Sequence, residues 1–123
     1  MSSVGDIQKV KLNEICRFFG PDSTVSEIAD MMDIQDIGAV PIINENNQLM
    51  GVVSERDIVR KLVKNGRDSD LVTAKDIMTS KVITVTKKTT QIDALKLMQT
   101  NKIRHLPIVD DSQKLINFIS HRD

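Results

Sequence analysis

The chain states one pattern twice at a fixed offset, and no other feature restricts its fold as much. Gly38-Ala39-Val40-Pro41-Ile42-Ile43, followed by Leu49-Met50-Gly51-Val52-Val53-Ser54-Glu55-Arg56-Asp57, returns as Arg104-His105-Leu106-Pro107-Ile108-Val109, followed by Leu115-Ile116-Asn117-Phe118-Ile119-Ser120-His121-Arg122-Asp123. Pro41 to Pro107 and Asp57 to Asp123 are both 66 positions apart, and no gap is needed from Asp22/Lys88 onward. Thr24/Thr90, Met32/Met98, Ile37/Ile103, Ile42/Ile108, Leu49/Leu115, Ser54/Ser120 and Arg56/Arg122 are further identities in that register. A unit this short seldom buries its apolar face alone, so two copies are expected to bury theirs against each other.

Local signals order the elements within each copy. Thr24-Val25-Ser26-Glu27 has capping-box spacing and starts a helix whose Ile28, Met31 and Met32 face a core. Gly38 to Ile43 and Leu49 to Val53 read as strands around the polar turn Asn44-Glu45-Asn46-Asn47-Gln48. Ser54-Glu55-Arg56-Asp57 is a second capping signal, with Ile58, Val59, Leu62 and Val63 as the apolar stripe of a helix that stops at Gly66. Residues 67–75 form a polar linker, and Thr73-Ala74-Lys75-Asp76 opens a short helical turn through Ile77 and Met78. The second copy reads as a strand from Val82 to Val85, a helix from about Gln91 to Asn101, and strands from His105 to Val109 and Leu115 to Ile119. Asp123 falls on the first turn of an expected closing helix.

At 123 residues the chain is one domain or two small halves sharing a core. Seventeen basic and seventeen acidic residues cancel, which removes the global field that draws proteins to nucleic acid or anionic lipid. With no Trp or Tyr and only Phe18, Phe19 and Phe118, there is little for bases to stack on. Neither nucleic acid nor membrane is therefore an expected partner. Cys16 is the only cysteine, which excludes an internal disulfide framework and fits a reducing, cytoplasmic setting. No apolar stretch reaches the length of a signal peptide or membrane span.

Helix, His-Leu-Pro-Ile-Val-Asp-type strand, turn, strand and Ser-x-x-Asp into a helix, twice in tandem and with Lys75-Asp76-Ile77-Met78-Thr79 before the second copy, resembles a pair of CBS domains, the Bateman module. Asp76-Ile77-Met78-Thr79 and Gly51-Val52-Val53-Ser54-Glu55-Arg56-Asp57 look especially like small stand-alone bacterial members. The resemblance implies a mixed α/β (α+β) fold of two pseudo-twofold-related units, each a small three-stranded sheet with two helices. The first CBS motif covers residues 8–66, the linker 67–75, and the second motif 76–123 without its closing helix. It also implies inter-sheet clefts that hold adenosine-containing ligands: AMP, ADP, ATP or NAD, with S-adenosylmethionine less favoured, as regulatory ligands and not as required cofactors.

Carried over residue by residue, the resemblance gives Asp57 and Asp123 to the ribose diol, and Ser54 and Ser120 to phosphate or ribose. Residues before each Pro line the base, which names Ile37, Gly38, Ala39, Val40 and Pro41 in one copy and Ile103, Arg104, His105, Leu106 and Pro107 in the other. The strand before the helix adds Ile83, Thr84 and Val85. The physical chemistry agrees, because a carboxylate accepts from two vicinal hydroxyls and a helix start favours phosphate. Arg56, Arg104, Arg122, His105 and His121 cluster in the same loops, and guanidinium forks suit phosphate oxygens. Simpler roles stay open beside these: Ser54 and Asp57 as a helix cap, and Arg56 and Arg122 as solvated surface residues.

Neither a catalytic constellation nor metal-ligand spacing is present in the sequence: Ser54, His105 and Asp57 lack a nucleophile turn, and His121 lacks a partner. The expectation is a nucleotide sensor that pairs into a homodimer through faces around Met31, Met32, Leu97 and Met98 and acts on an unidentified regulated protein. The alternative is a structural dimerisation module whose clefts are empty or degenerate. The first copy has a shortened leading strand and the second lacks a closing helix, so two unequal clefts are expected.

Overall fold

The computed structural model describes the backbone of residues 7–9 and the whole of residues 19–121. Its elements run β1 (Ile7–Lys9), α1 (Val25–Gln35), β2 (Ala39–Ile43), β3 (Leu49–Ser54), α2 (Glu55–Asp57) continuing as a π-helical segment (Ile58–Val63), α3 (Ala74–Ile77), α4 (Gln91–Asn101), β4 (His105–Val109) and β5 (Leu115–His121).

The repeat is realised in the helices α1 and α4 and in the two hairpins. Helices α1 and α4 begin and end 66 positions apart, with Thr24 and Thr90 as N-caps accepting from the amides of Glu27 and Asp93. Both helices end on a left-handed residue, Asp36 at φ 54° and Lys102 at φ 55°, and both hairpins turn on one, Asn47 at φ 63° and Gln113 at φ 65°. Each hairpin carries its irregularity at the same place, Ile42/Ile43 and Ile108/Val109. The two turns bond each other reciprocally, the Leu49 amide donating to Gln113 O at 3.0 Å and the Leu115 amide to Asn47 O at 2.9 Å. These two bonds are mates across a pseudo-twofold axis.

Among the described residues, three apolar clusters hold the fold. The first gathers Val25, Ile28, Met32, Val40, Ile42, Val53 and Leu62 of the first copy with Ala74 and Ile77 from the linker and α3; the second gathers Val85, Ala94, Met98, Leu106 and Ile119. The third, Ala39, Val52 and Phe118 with Val82 against them, lies between the copies. Burying side chains of this size contributes roughly 1.5–3 kcal/mol each, so the interface between copies is part of the core and not a hinge.

The copies exchange their leading segments. β1 lies in the first-copy range but pairs antiparallel with β5, giving a three-stranded sheet ordered β1-β5-β4. The first-copy sheet has two strands, β2 and β3, and its third place is held by one bridge: Thr79 and Val52 exchange backbone bonds of 2.9 and 3.0 Å. Gly51 makes this approach possible, since a Cβ there would lie 2.7 Å from Thr79 O. Asn117, at the equivalent place, carries a side chain that accepts from the Phe118 amide.

Several expectations are corrected. Val82 to Val85 is not a strand; the segment crosses from the Thr79–Val52 bridge in one copy to a Val85–Ile108 bridge in the other, so it meets each sheet at a single residue. Ser120 and His121 do not begin a helix, because β5 runs on through them and pairs them with Gln8 and Ile7. Arg122 and Asp123 fall outside the described residues, as does Phe18. The helix after Asp57 is π-helical, with the Lys64 amide bonded to Val59 O, and its buried stripe narrows to Ile58 and Leu62 while Val59 and Val63 are exposed. Met32 and Met98 are buried in the first two clusters, with Met31 and Leu97 packed against them, so that stripe is core and not a free docking face. Among the described residues, the large apolar side chains left exposed are Ile34, Val59, Val63, Leu71 and Ile92.

Candidate ligand cleft

A cleft of about 730 Å³ opens between the copies, lined by both. From the first copy come Gly38 and Ala39 at the start of β2, Val52, and Ser54 to Asp57 at the β3–α2 junction. From the second come Thr79, Lys81, Val82 and Ile83 of the crossing segment, Lys102 to His105 before β4, and Ser120 and His121 at the end of β5. The exchange of leading segments is what brings these together.

Asp57 is the most heavily bonded side chain in the cleft. Ser54 and Asp57 form a reciprocal capping box: the Asp57 amide donates to Ser54 Oγ at 3.1 Å, while the Ser54 amide and hydroxyl donate to Asp57 Oδ2 at 2.9 and 3.0 Å. Asp57 Oδ1 accepts from the Thr79 hydroxyl at 2.9 Å and pairs with Lys61 Nζ at 3.0 Å. Lys61 also donates to Ile77 O at 2.9 Å, which ties the π-helical segment to α3. Burial pushes the Asp57 carboxyl up, but bonds from the Ser54 amide, Lys61, Thr79 and the Ser54 hydroxyl together outweigh it and hold the group below its ordinary value. The carboxylate is therefore charged at neutral pH and satisfied on both oxygens.

His105 lies against Phe118, ring centroids 5.9 Å apart and planes 21° from parallel. Burial lowers its pKa, and the nearby Asp57 charge opposes that shift without cancelling it, so the imidazole is neutral at pH 7. Ser120 Oγ and His121 Nε2 are buried and have no hydrogen-bond partner among the described residues. Buried polar atoms are nearly always bonded, so two unsatisfied ones in the wall of one cleft mark a place where a polar molecule gains bonds. Arg56, Lys81, Lys102 and Arg104 add cationic side chains at the exposed rim, against the carboxylate of Glu55.

Of the residues singled out from sequence, Gly38, Ala39, Ser54, Arg56, Asp57, Ile83, Ile103, Arg104, His105, Ser120 and His121 line the cleft. Ile37, Val40, Pro41, Val85, Leu106 and Pro107 are buried and do not line it; all but the two prolines belong to the apolar clusters. Val40 and Leu106 follow the cleft positions Ala39 and His105 within β2 and β4, so their side chains serve the opposite face, while Ile37 lies before β2 in the first cluster. Thr84 is half-buried outside the cleft. Lining residues that the sequence did not single out are Val52, Glu55, Thr79, Lys81, Val82 and Lys102. Thr79 and Lys81 stand in the stretch after Asp76-Ile77-Met78 that carried the resemblance, and Lys102 is the repeat mate of the left-handed Asp36.

Comparison with known proteins settles the family. A CBS domain matches residues 4–64 and again 74–123. The chain belongs to the CBS-domain family. An uncharacterized protein of Methanopyrus kandleri is 45% identical over 103 residues, which cover 84% of this chain and 53% of that protein. The chain spans between 19% and 61% of the length of five such curated relatives. Among solved structures, a signal-transduction protein with CBS domains from Burkholderia ambifaria superposes with a TM-score of 0.74 at 29% identity, over 92% of this chain and 88% of that one. A CBS domain protein of Pyrobaculum aerophilum complexed with AMP superposes with a TM-score of 0.73 at 28% identity, over 83% and 77%. Among the described residues, no helix is long and apolar enough to cross a membrane, and no three metal-ligating side chains gather.

Proposed function

We propose that this CBS pair is a non-catalytic regulatory module of the cytoplasm that binds an adenosine nucleotide, AMP, ADP, ATP or NAD, in the cleft between its copies. The observation that carries the reading is the pair of unsatisfied buried atoms, Ser120 Oγ and His121 Nε2, in a cleft whose rim supplies four cationic side chains. The AMP complex of the Pyrobaculum aerophilum relative supports the choice of ligand class. In this reading Gly38, Ala39, Ile83, Ile103 and His105 flank the base, Asp57 takes the ribose hydroxyls, and Arg56 and Arg104, with Lys81 and Lys102, receive phosphate.

Differential scanning of thermal stability tests it. AMP at a hundred times its dissociation constant should stabilise the fold by about 2.7 kcal/mol, and adenosine should do less at equal concentration because it lacks the phosphate. No stabilisation by any of the four nucleotides would reject the reading.

A second reading, a homodimeric structural module with an unused cleft, is favoured by one observation: every strong acceptor site on Asp57 is already filled from within the chain. The homodimer itself belongs to both readings, with the exposed Val59, Val63 and Leu71 available for burial. Light scattering that returns a monomer mass would remove the second reading altogether.

A further inference from the structure

Resting on the reading that Asp57 meets a ribose diol, the occupancy of its carboxylate has a consequence for ligand binding. A carboxylate offers about four lone-pair sites, and four donors already point at this one. Those on Oδ2 come from Ser54 three residues away and are fixed by the reciprocal cap at the helix start. Those on Oδ1 are side chains from farther off: the Thr79 hydroxyl, from the opposite copy, and the Lys61 ammonium, whose side chain is 43% exposed. A vicinal diol needs two acceptor sites, and both donors on Oδ1 are side chains that can leave while the reciprocal Ser54–Asp57 cap stays intact.

We propose that Lys61 and Thr79 are built-in competitors of the ligand, and that a diol seats on Asp57 by displacing the Lys61 ammonium into solvent. Lys61 is also the side chain that bonds Ile77 O at 2.9 Å. Its departure therefore unlatches the π-helical segment from α3 and passes cleft occupancy to the outer face that carries Val59 and Val63. Lys61 sets affinity and links the cleft to the end of α3, 16 residues along the chain at the Ile77 carbonyl.

Calorimetry on the full chain with AMP and with 2′-deoxy-AMP, which lacks one hydroxyl of the diol, tests this in Lys61→Met. The variant keeps the length and apolar stem of the side chain but cannot compete. AMP should bind about three- to tenfold more tightly than to the parent protein, and 2′-deoxy-AMP should gain distinctly less. Thr79→Val frees the same oxygen from its other donor and should move the two ligands in the same order, so the test survives if Lys61→Met fails to fold. AMP binding that is unchanged or weakened in both variants, with the parent protein binding AMP normally, overturns the competitor role and leaves the proposed function standing. Absence of AMP binding to the parent protein and to both variants overturns the proposed function and this inference together.

Discussion

Asp57→Asn is the most informative single perturbation, because the four bonds at this carboxylate divide cleanly by what an amide can replace. The Asn oxygen can still accept from the Ser54 amide, so most of the cap survives. The other side of the group becomes an NH2, which cannot accept from the Thr79 hydroxyl or the Lys61 ammonium. A hydrogen bond to a charged acceptor contributes about 1.5–3 kcal/mol, and the half-exposed ion pair, screened by solvent, less than about 1 kcal/mol. Because Thr79 is itself exposed, the lower end applies, and we expect a loss of about 2 kcal/mol at pH 7. For a chain of this size that lowers Tm by roughly 6–10 °C.

The pH dependence supplies the internal control. Asp57 has a depressed folded-state pKa, so its contribution is fully present above the ordinary aspartate value and is lost as pH falls through the folded value. Urea unfolding followed by circular dichroism should show the gap between parent and variant closing in acid. An unchanged midpoint at pH 7, or a gap that persists undiminished below the folded-state pKa, would refute the bonding described for this carboxylate. In the same variant, AMP affinity should fall by about tenfold or more, since a donor would face the ribose hydroxyls.

Gly51→Ala should destabilise by about 1–3 kcal/mol, because the added Cβ meets, at 2.7 Å, the carbonyl oxygen of Thr79, a residue whose backbone is held by two bonds to Val52. Asn117→Ala at the repeat-equivalent place should cost less in the same denaturation assay. His105 has a lowered folded-state pKa, so its stabilising contribution is complete above the ordinary histidine value and erodes as pH falls through that value toward the folded one. Urea midpoints should therefore decline between about pH 7 and pH 5 in the parent chain, and more shallowly in His105→Gln.

What the sequence revealed and what it hid follow from the range of the interactions involved. Helices α1 and α4, both hairpins and the cap at Ser54 are set by neighbours within a few residues, and the spacing of Thr24, Thr90, Pro41 and Pro107 displays them directly. The strand exchange is not local: β1 pairs with residues more than a hundred positions away, and nothing within Ile7-Gln8-Lys9 specifies that edge. Val82 to Val85 has strand composition but no full edge to pair with, so propensity yields to its path across the interface. At the site, the repeat and the resemblance led to Ser54, Asp57 and Ser120 and the cluster of cationic side chains to His121, while Thr79, Lys81 and Lys102 were missed because their place in the cleft depends on how the copies pack. The offset also suggested that Ser120 should behave as Ser54 does. It does not, because β5 continues where β3 gives way to a helix, and that difference leaves the Ser120 hydroxyl without a partner among the described residues.

Amide chemical-shift mapping during an AMP titration tests the central claim most directly, since it reports both whether the nucleotide binds and where. The account predicts saturable shifts concentrated at Gly38, Ala39, Ser54, Ile103, Arg104, His105, Ser120 and His121, with smaller ones spreading through Ile58–Val63. Spectra that stay unchanged up to about 1 mM AMP, or shifts confined to the exposed faces around Ile34 and Ile92, would contradict it.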